Sequence, residues 1–132
     1  MTEPATVTGR AILDTSVVID RMAPFTEEVA ISAVTLAELH WGVLIASAAT
    51  RADRLTRLIA IERRFDPLPV DEAVADSYGR VAATVSAIGR QPRRRTMALL
   101  IAATAHAHGA RLYTRNPDDF RGLDELIEVL GV

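Results

Sequence analysis

Short apolar runs that end in oxygen-bearing side chains are what most constrain this chain. Ala11-Ile12-Leu13 closes on Asp14, followed by Thr15-Ser16. Arg111-Leu112-Tyr113-Thr114 leads into Asn116, Asp118 and Asp119. Glu38 lies in Thr35-Leu36-Ala37-Glu38-Leu39. The segments between these runs repeat apolar residues at helical spacing. Strands alternating with helices imply an α/β fold with a short, mostly parallel sheet and right-handed crossovers. Ligand sites of such sheets form outside the carboxyl ends of the strands. Carboxylates supply the oxygen ligands that hard divalent cations need. The pattern therefore points to a Mg²⁺ or Mn²⁺ site.

The remaining elements follow from local signals. Residues 10–14 read as a first strand, and a short helix from about Ser16 to Arg21 is stopped by Pro24. Residues 28–32 form a second strand. Ser32 or Thr35 caps the next helix, whose apolar face takes Leu36, Leu39, Val43 and Leu44. A third helix, about 50–64, carries Leu55, Leu58 and Ile59 among arginines. Leu68-Pro69-Val70 is a brief strand. Asp71 caps a helix with the stripe Val74, Tyr78, Val81, Val85 and Ile88, ended by Gly89. Residues 96–105 are small and apolar almost all round and read as a buried helix, ended by Gly109. Residues 111–114 and 127–130 are strands, with a tight turn over 117–120.

Composition narrows the class. With 132 residues and a hydrophobic share of 49%, the chain is expected to be one domain, with residues 1–9 a flexible N-terminal extension. No apolar run approaches the ~20 residues of a membrane span, and Met1 to Gly9 lacks the basic start of a signal peptide. There is no cysteine, which excludes disulfides, thiolate zinc sites and cysteine nucleophiles. These features fit a cytoplasmic protein. Net charge is −2, so bulk charge does not mark a nucleic-acid binder. All 15 basic residues are arginine, whose planar fork pairs bidentately with phosphate. They are densest at Arg90 and Arg93-Arg94-Arg95.

Each candidate also has a bland role. Asp14 fits an N-cap between strand and helix. Glu38 fits a capping box with Thr35. Asn116-Pro117-Asp118-Asp119 is turn composition. Asp118 reads as exposed. Asp119 precedes the anchor Phe120 and is the better inward candidate. His106 and His108 are two apart, which puts them on different helix faces, and read as structural. Trp41 reads as core or interface, and Asp20 as a helix-end acid.

Taken together, Ile12-Leu13-Asp14-Thr15-Ser16, Thr35-Leu36-Ala37-Glu38-Leu39 with Gly42, Leu100 through Ala105, and Tyr113-Thr114-Arg115-Asn116 through Asp119-Phe120 resemble the PIN domain, most closely the VapC toxins of bacterial toxin–antitoxin pairs. The resemblance runs from about residue 10 to 130. It implies a PIN-like three-layer fold and a Mg²⁺- or Mn²⁺-dependent endoribonuclease acting on structured RNA, tRNA or rRNA. It also implies a homodimer neutralised by a VapB-type antitoxin. Asp14, Glu38 and Asp119 match the family's acidic positions, with Asp14 and Asp119 toward the metal. Asn116, Thr15, Ser16 and Thr114 match supporting polar positions. Arg93, Arg94, Arg95 and Arg115 are candidates for RNA phosphates.

One position departs. The family usually has an acidic residue three places before the isoleucine of its Ile-Ala-Ala block, and here Ala98 stands there. A natural variant with weakened metal binding and a deliberate replacement of aspartate both account for it. A non-catalytic protein that binds RNA or an antitoxin is the alternative that Ala98 favours. A receiver domain would need a buried lysine, which this chain lacks. A haloacid-dehalogenase-type phosphatase would need a second aspartate where Ser16 stands.

Overall fold

The structure, a computed structural model, describes residues 9–20, 25 and 27–132. Four strands form one sheet: β1 (Arg10–Leu13), β2 (Glu28–Ala30), β3 (Arg111–Thr114) and β4 (Val129–Gly131). Their order is β2-β1-β3-β4 and every pairing is parallel. The helices are α1 (Thr15–Ile19), α2 (Ala33–Leu44), α3 (Ala48–Arg64), α4 (Glu72–Ala87) and α5 (Thr96–Ala107). Two 3₁₀ turns, Pro92–Arg95 and Pro117–Phe120, precede α5 and follow β3.

The period-two alternation of the central strands explains the layering. Ile12 and Leu112 point to one face, where they join Val74, Val81 and Val85 of α4 and Leu99, Ile101 and Ala102 of α5. Leu13 points to the other face, with Val17 and Val18 of α1, Leu39 and Val43 of α2, and Leu58 and Ile61 of α3. Three layers result, with helices on both faces of the sheet. The chain runs from β1 to β2 on one side of it and then crosses over to β3 on the other, so strand order reverses between β1 and β3. That reversal opens a crevice at the carboxyl ends of these two strands.

Several expected boundaries and faces shift. The brief strand at Leu68-Pro69-Val70 reduces to a single parallel bridge between Ser32 and Leu68, since Pro69 has no N–H to extend a ladder. The last strand begins at Val129 rather than Ile127. Leu44, expected on the buried face of α2, is 75% exposed. In α3 the buried positions are Leu58 and Ile61, while Leu55 and Ile59 face out. Asp71 caps α4 as expected, its Oδ1 accepting from the Val74 N–H at 3.0 Å. Gly89 leaves that helix with φ of +83°, a conformation side-chain-bearing residues rarely adopt. Ile88, placed on the core stripe of α4, is exposed at its C-cap. The expected stop at Arg21 to Pro24 and residues 1–8 of the expected extension lie outside the described residues. No described helix is long and apolar enough to cross a membrane.

Candidate active site

Asp14 stands at the carboxyl end of β1, where that strand pairs with β3. Its N–H donates to the Tyr113 carbonyl at 2.9 Å, continuing the strand pairing to the edge of the sheet. The residue is the N-cap of α1 by position, yet its side chain makes no cap bond. Instead Oδ2 accepts from the Ser16 hydroxyl at 2.8 Å and the Thr114 hydroxyl at 2.8 Å. Among the described contacts Oδ1 accepts none. Two hydroxyls thus hold a buried carboxylate in one orientation and leave one oxygen available. The cage is itself fastened: the Arg115 N–H donates to Ser16 Oγ at 3.1 Å and the Asn116 N–H to Thr114 Oγ1 at 3.0 Å.

Glu38 is the second acid. A capping box with Thr35 does not form, because Ser32 takes the cap of α2 and accepts from the Val34 N–H. Thr35 lies fully buried in the first turn. Glu38 instead accepts from the Thr15 hydroxyl at 2.6 Å, and Thr15 lies 3.0 Å from the Thr35 hydroxyl. The neighbouring hydroxyls Thr15 and Ser16 therefore serve different acids. Burial raises the Glu38 pKa, and the nearby negative charge of Asp14 raises it further, against the Thr15 hydrogen bond that lowers it. The two carboxylates are close enough to feel each other.

Asp119 sits in the 3₁₀ turn after β3, half-buried beside the fully buried Phe120. Its neighbour Asp118 is exposed and pairs with Arg90 and Arg121, at 3.4 Å each. Arg90 also donates to the Asp118 carbonyl at 2.7 Å. Arg90 therefore belongs to the anchoring of this turn. Ala98 lies in the first turn of α5, half-buried against the core, and α5 packs on the turn that carries Asp119. Among the described residues, no three His, Cys, Asp or Glu side chains gather as a metal-holding group. The donor chemistry of Asp14 and Glu38 suits a hard cation, but two carboxylates are a thin set for one.

Two clefts flank the end of α1 and share Ile19. One, of about 410 Å³, is lined by Ser16, Ile19, Asp20, Arg115 and Asn116. The other, of about 430 Å³, includes Thr15, Glu38, Trp41, Ile45, Arg54 and Arg57. Arg93 and Arg94 are exposed and Arg95 is half-buried on the turn leading into α5. The Nε atoms of Arg57 and Arg95 are buried without a hydrogen-bond partner among the described residues. Thr35 and Asp20 were not legible as site residues, since their roles depend on partners distant in sequence.

The comparisons agree with this architecture. The family model described as "PIN domain" matches residues 11–126. Ribonuclease VapC4 of Mycobacterium tuberculosis is 38% identical over 119 residues, 83% of this chain and 88% of that protein. Ribonuclease VapC5 of the same organism is 37% identical over 129 residues, 91% of this chain and 92% of that protein. The crystal structure of the M. tuberculosis toxin–antitoxin complex VapBC-5 includes a chain 36% identical, with a TM-score of 0.81 over 94% of this chain and 99% of that one. The chain belongs to the PIN-domain family, in its VapC branch.

Proposed function

We propose that this protein is a cytoplasmic, Mg²⁺- or Mn²⁺-dependent endoribonuclease toxin that acts on structured RNA, tRNA or rRNA, and is neutralised by a VapB-type antitoxin. The observation that carries this reading is Asp14 at the strand-order reversal, its Oδ2 accepting from Ser16 and Thr114 and its Oδ1 left to ligate a cation. The curated relatives named above are ribonucleases, and the solved neighbour is a toxin–antitoxin complex.

Asp14 and Asp119 would hold the metal, with Asn116 supporting its shell. When bound, such an ion polarises a phosphoryl oxygen and makes water a better nucleophile. Glu38 has Oε1 taken by Thr15 and offers its other oxygen to orient the attacking water. A carboxyl with a raised pKa is also a stronger base toward that water's proton. Arg93, Arg94, Arg95 and Arg115 would neutralise RNA phosphates, which fixes position rather than sequence. Trp41, Leu44 and Ile45, 65%, 75% and 57% exposed, offer apolar surface for a second copy of the chain or for the antitoxin.

Ala98 and the absence of a three-acid group among the described residues favour a second reading, in which the domain binds RNA or antitoxin without cutting. Ala98→Asp separates the two. Another carboxylate should strengthen Mn²⁺ binding by about tenfold or more, the loss typical for even an outer partner of a metal site. Calorimetry with Mn²⁺ and cleavage of tRNA and rRNA fragments measure both effects. Metal-dependent cutting gained in Ala98→Asp supports the nuclease reading with a disabled position 98. Cutting by neither chain supports the binding protein. Equal cutting by both keeps the nuclease and removes position 98 from its site.

A further inference from the structure

The ion pair between Arg115 and Asp20 has no part in the mechanism above. Arg115 Nη1 lies 2.7 Å from Asp20 Oδ2, and each side chain is 48% exposed. Asp20 is the C-cap residue of α1, while Arg115 directly follows β3. The pair therefore joins two elements that both lead away from the Asp14 crevice. Its placement is fixed at the Arg115 end by the backbone, whose N–H donates to Ser16 Oγ at 3.1 Å, the same hydroxyl that donates to Asp14. Asp20, Arg115, Ser16 and Asn116 line one cleft of about 410 Å³. The guanidinium is thus at the solvent side of the hydroxyl cage.

A free arginine side chain samples many rotamers and loses that freedom when it binds phosphate. A carboxylate that takes one edge of the guanidinium removes part of this cost in advance, and leaves other N–H donors of the planar fork for a second anion. We propose that Asp20 is a positioning residue: it orients Arg115 for an RNA phosphate beside the site. The proposal rests on the ribonuclease reading for its ligand. It makes a prediction opposite in sign to bulk electrostatics. Neutralising an acid on a chain of net charge −2 should favour RNA by charge alone, whereas loss of the orienting partner should weaken binding.

The test is fluorescence anisotropy of a labelled RNA stem-loop, in EDTA so that no cleavage intervenes, across a salt series. The proteins are the parent, Asp20→Asn, Asp20→Glu, Arg115→Ala and the double variant Asp20→Asn/Arg115→Ala, each checked for fold by circular dichroism. Asp20→Asn should weaken binding about two- to fivefold, the range of exposed ion pairs. Asp20→Glu should restore most of it. Arg115→Ala should weaken binding and flatten the salt dependence by about one phosphate contact. In the Arg115→Ala background Asp20→Asn should have no further effect, because a positioning residue acts only through what it positions. Unchanged or tighter binding by Asp20→Asn, with the parent binding RNA, overturns this proposal and leaves the ribonuclease reading standing. An Asp20→Asn effect that persists without Arg115 also overturns it. A parent that binds no RNA overturns both.

Discussion

Helices α2 and α5 make an instructive pair. Each has 12 residues, and each is apolar over most of its length. In α5 the residues Leu99 and Ile101 through Ala105 are all buried. In α2 only Val34, Thr35, Leu39 and Val43 are buried, and its last turn exposes Trp41 and Leu44. The difference lies in what covers them. Helix α5 lies between the sheet and α4, and also touches α2 and both 3₁₀ turns. Helix α2 packs chiefly on α3, and among the described residues its C-terminal end has no comparable cover. Similar apolar composition thus marks core in one helix and a candidate contact surface in the other. Each helix also carries a residue proposed above for the site, Ala98 on α5 and Glu38 on α2.

The largest effect expected from this contrast is in α5. Ile101 is fully buried among α4, α5 and the sheet. Ile101→Ala should cost about 2–5 kcal/mol, from lost transfer energy and the cavity left behind. Urea unfolding should show it as a lower midpoint with an unchanged slope. A cost under 1 kcal/mol would mean that α5 is less tightly held than its burial implies.

Leu44→Gln in α2 should behave differently. The side chain is 75% exposed, so the stability of a single chain should change by no more than about 0.5 kcal/mol. If this end of α2 is an interface, the same substitution should reduce self-association in sedimentation analysis, or capture of the antitoxin. A loss of several kcal/mol in unfolding, with assembly intact, would reverse the comparison and make the end of α2 part of the chain's own core.

The contrast also separates what the sequence could reveal. Local signals showed the strand and helix order apart from the strand expected at 68–70, the Asp71 cap and the position of Asp14 at a strand end, since each depends on neighbours within a few residues. The all-round apolar character of α5 correctly read as burial. The apolar face expected for α2 held at Leu36, Leu39 and Val43 but not at Leu44, because cover by another element is a tertiary property. Partner choice within the site was equally hidden. Thr15 and Ser16 are adjacent, yet one bonds Glu38 and the other Asp14. The buried Glu27 accepts from the Tyr113 hydroxyl and pairs with Arg111, and Asp20 pairs with Arg115. These are contacts across most of the chain, for which periodicity carries no signal.

The smallest effect expected falls on Glu38, a half-buried acid of α2 proposed for the site. Its pKa is raised by burial and by the charge of Asp14, with the Thr15 hydrogen bond opposing. A carboxyl whose folded pKa lies above its unfolded value favours the folded state fully only while it is protonated. That contribution is present below the ordinary glutamate value of 4.5 and is lost as pH rises through the folded value. As pH rises through that folded value, the ionising Glu38 therefore weakens the metal-free fold. Glu38→Gln keeps an oxygen to accept from Thr15 and removes the charge, so it should raise Tm in EDTA at pH 7 by about 1–3 °C. The gain should shrink as pH falls below the ordinary glutamate value, where the carboxyl becomes protonated in the folded and the unfolded state alike. Thermal scans at pH 7 and below that value measure it. A lower Tm for Glu38→Gln at pH 7 would mean that the charge-assisted bond from Thr15 outweighs burial and the repulsion from Asp14, and that α2 holds Glu38 as a stabilising group rather than as a strained one.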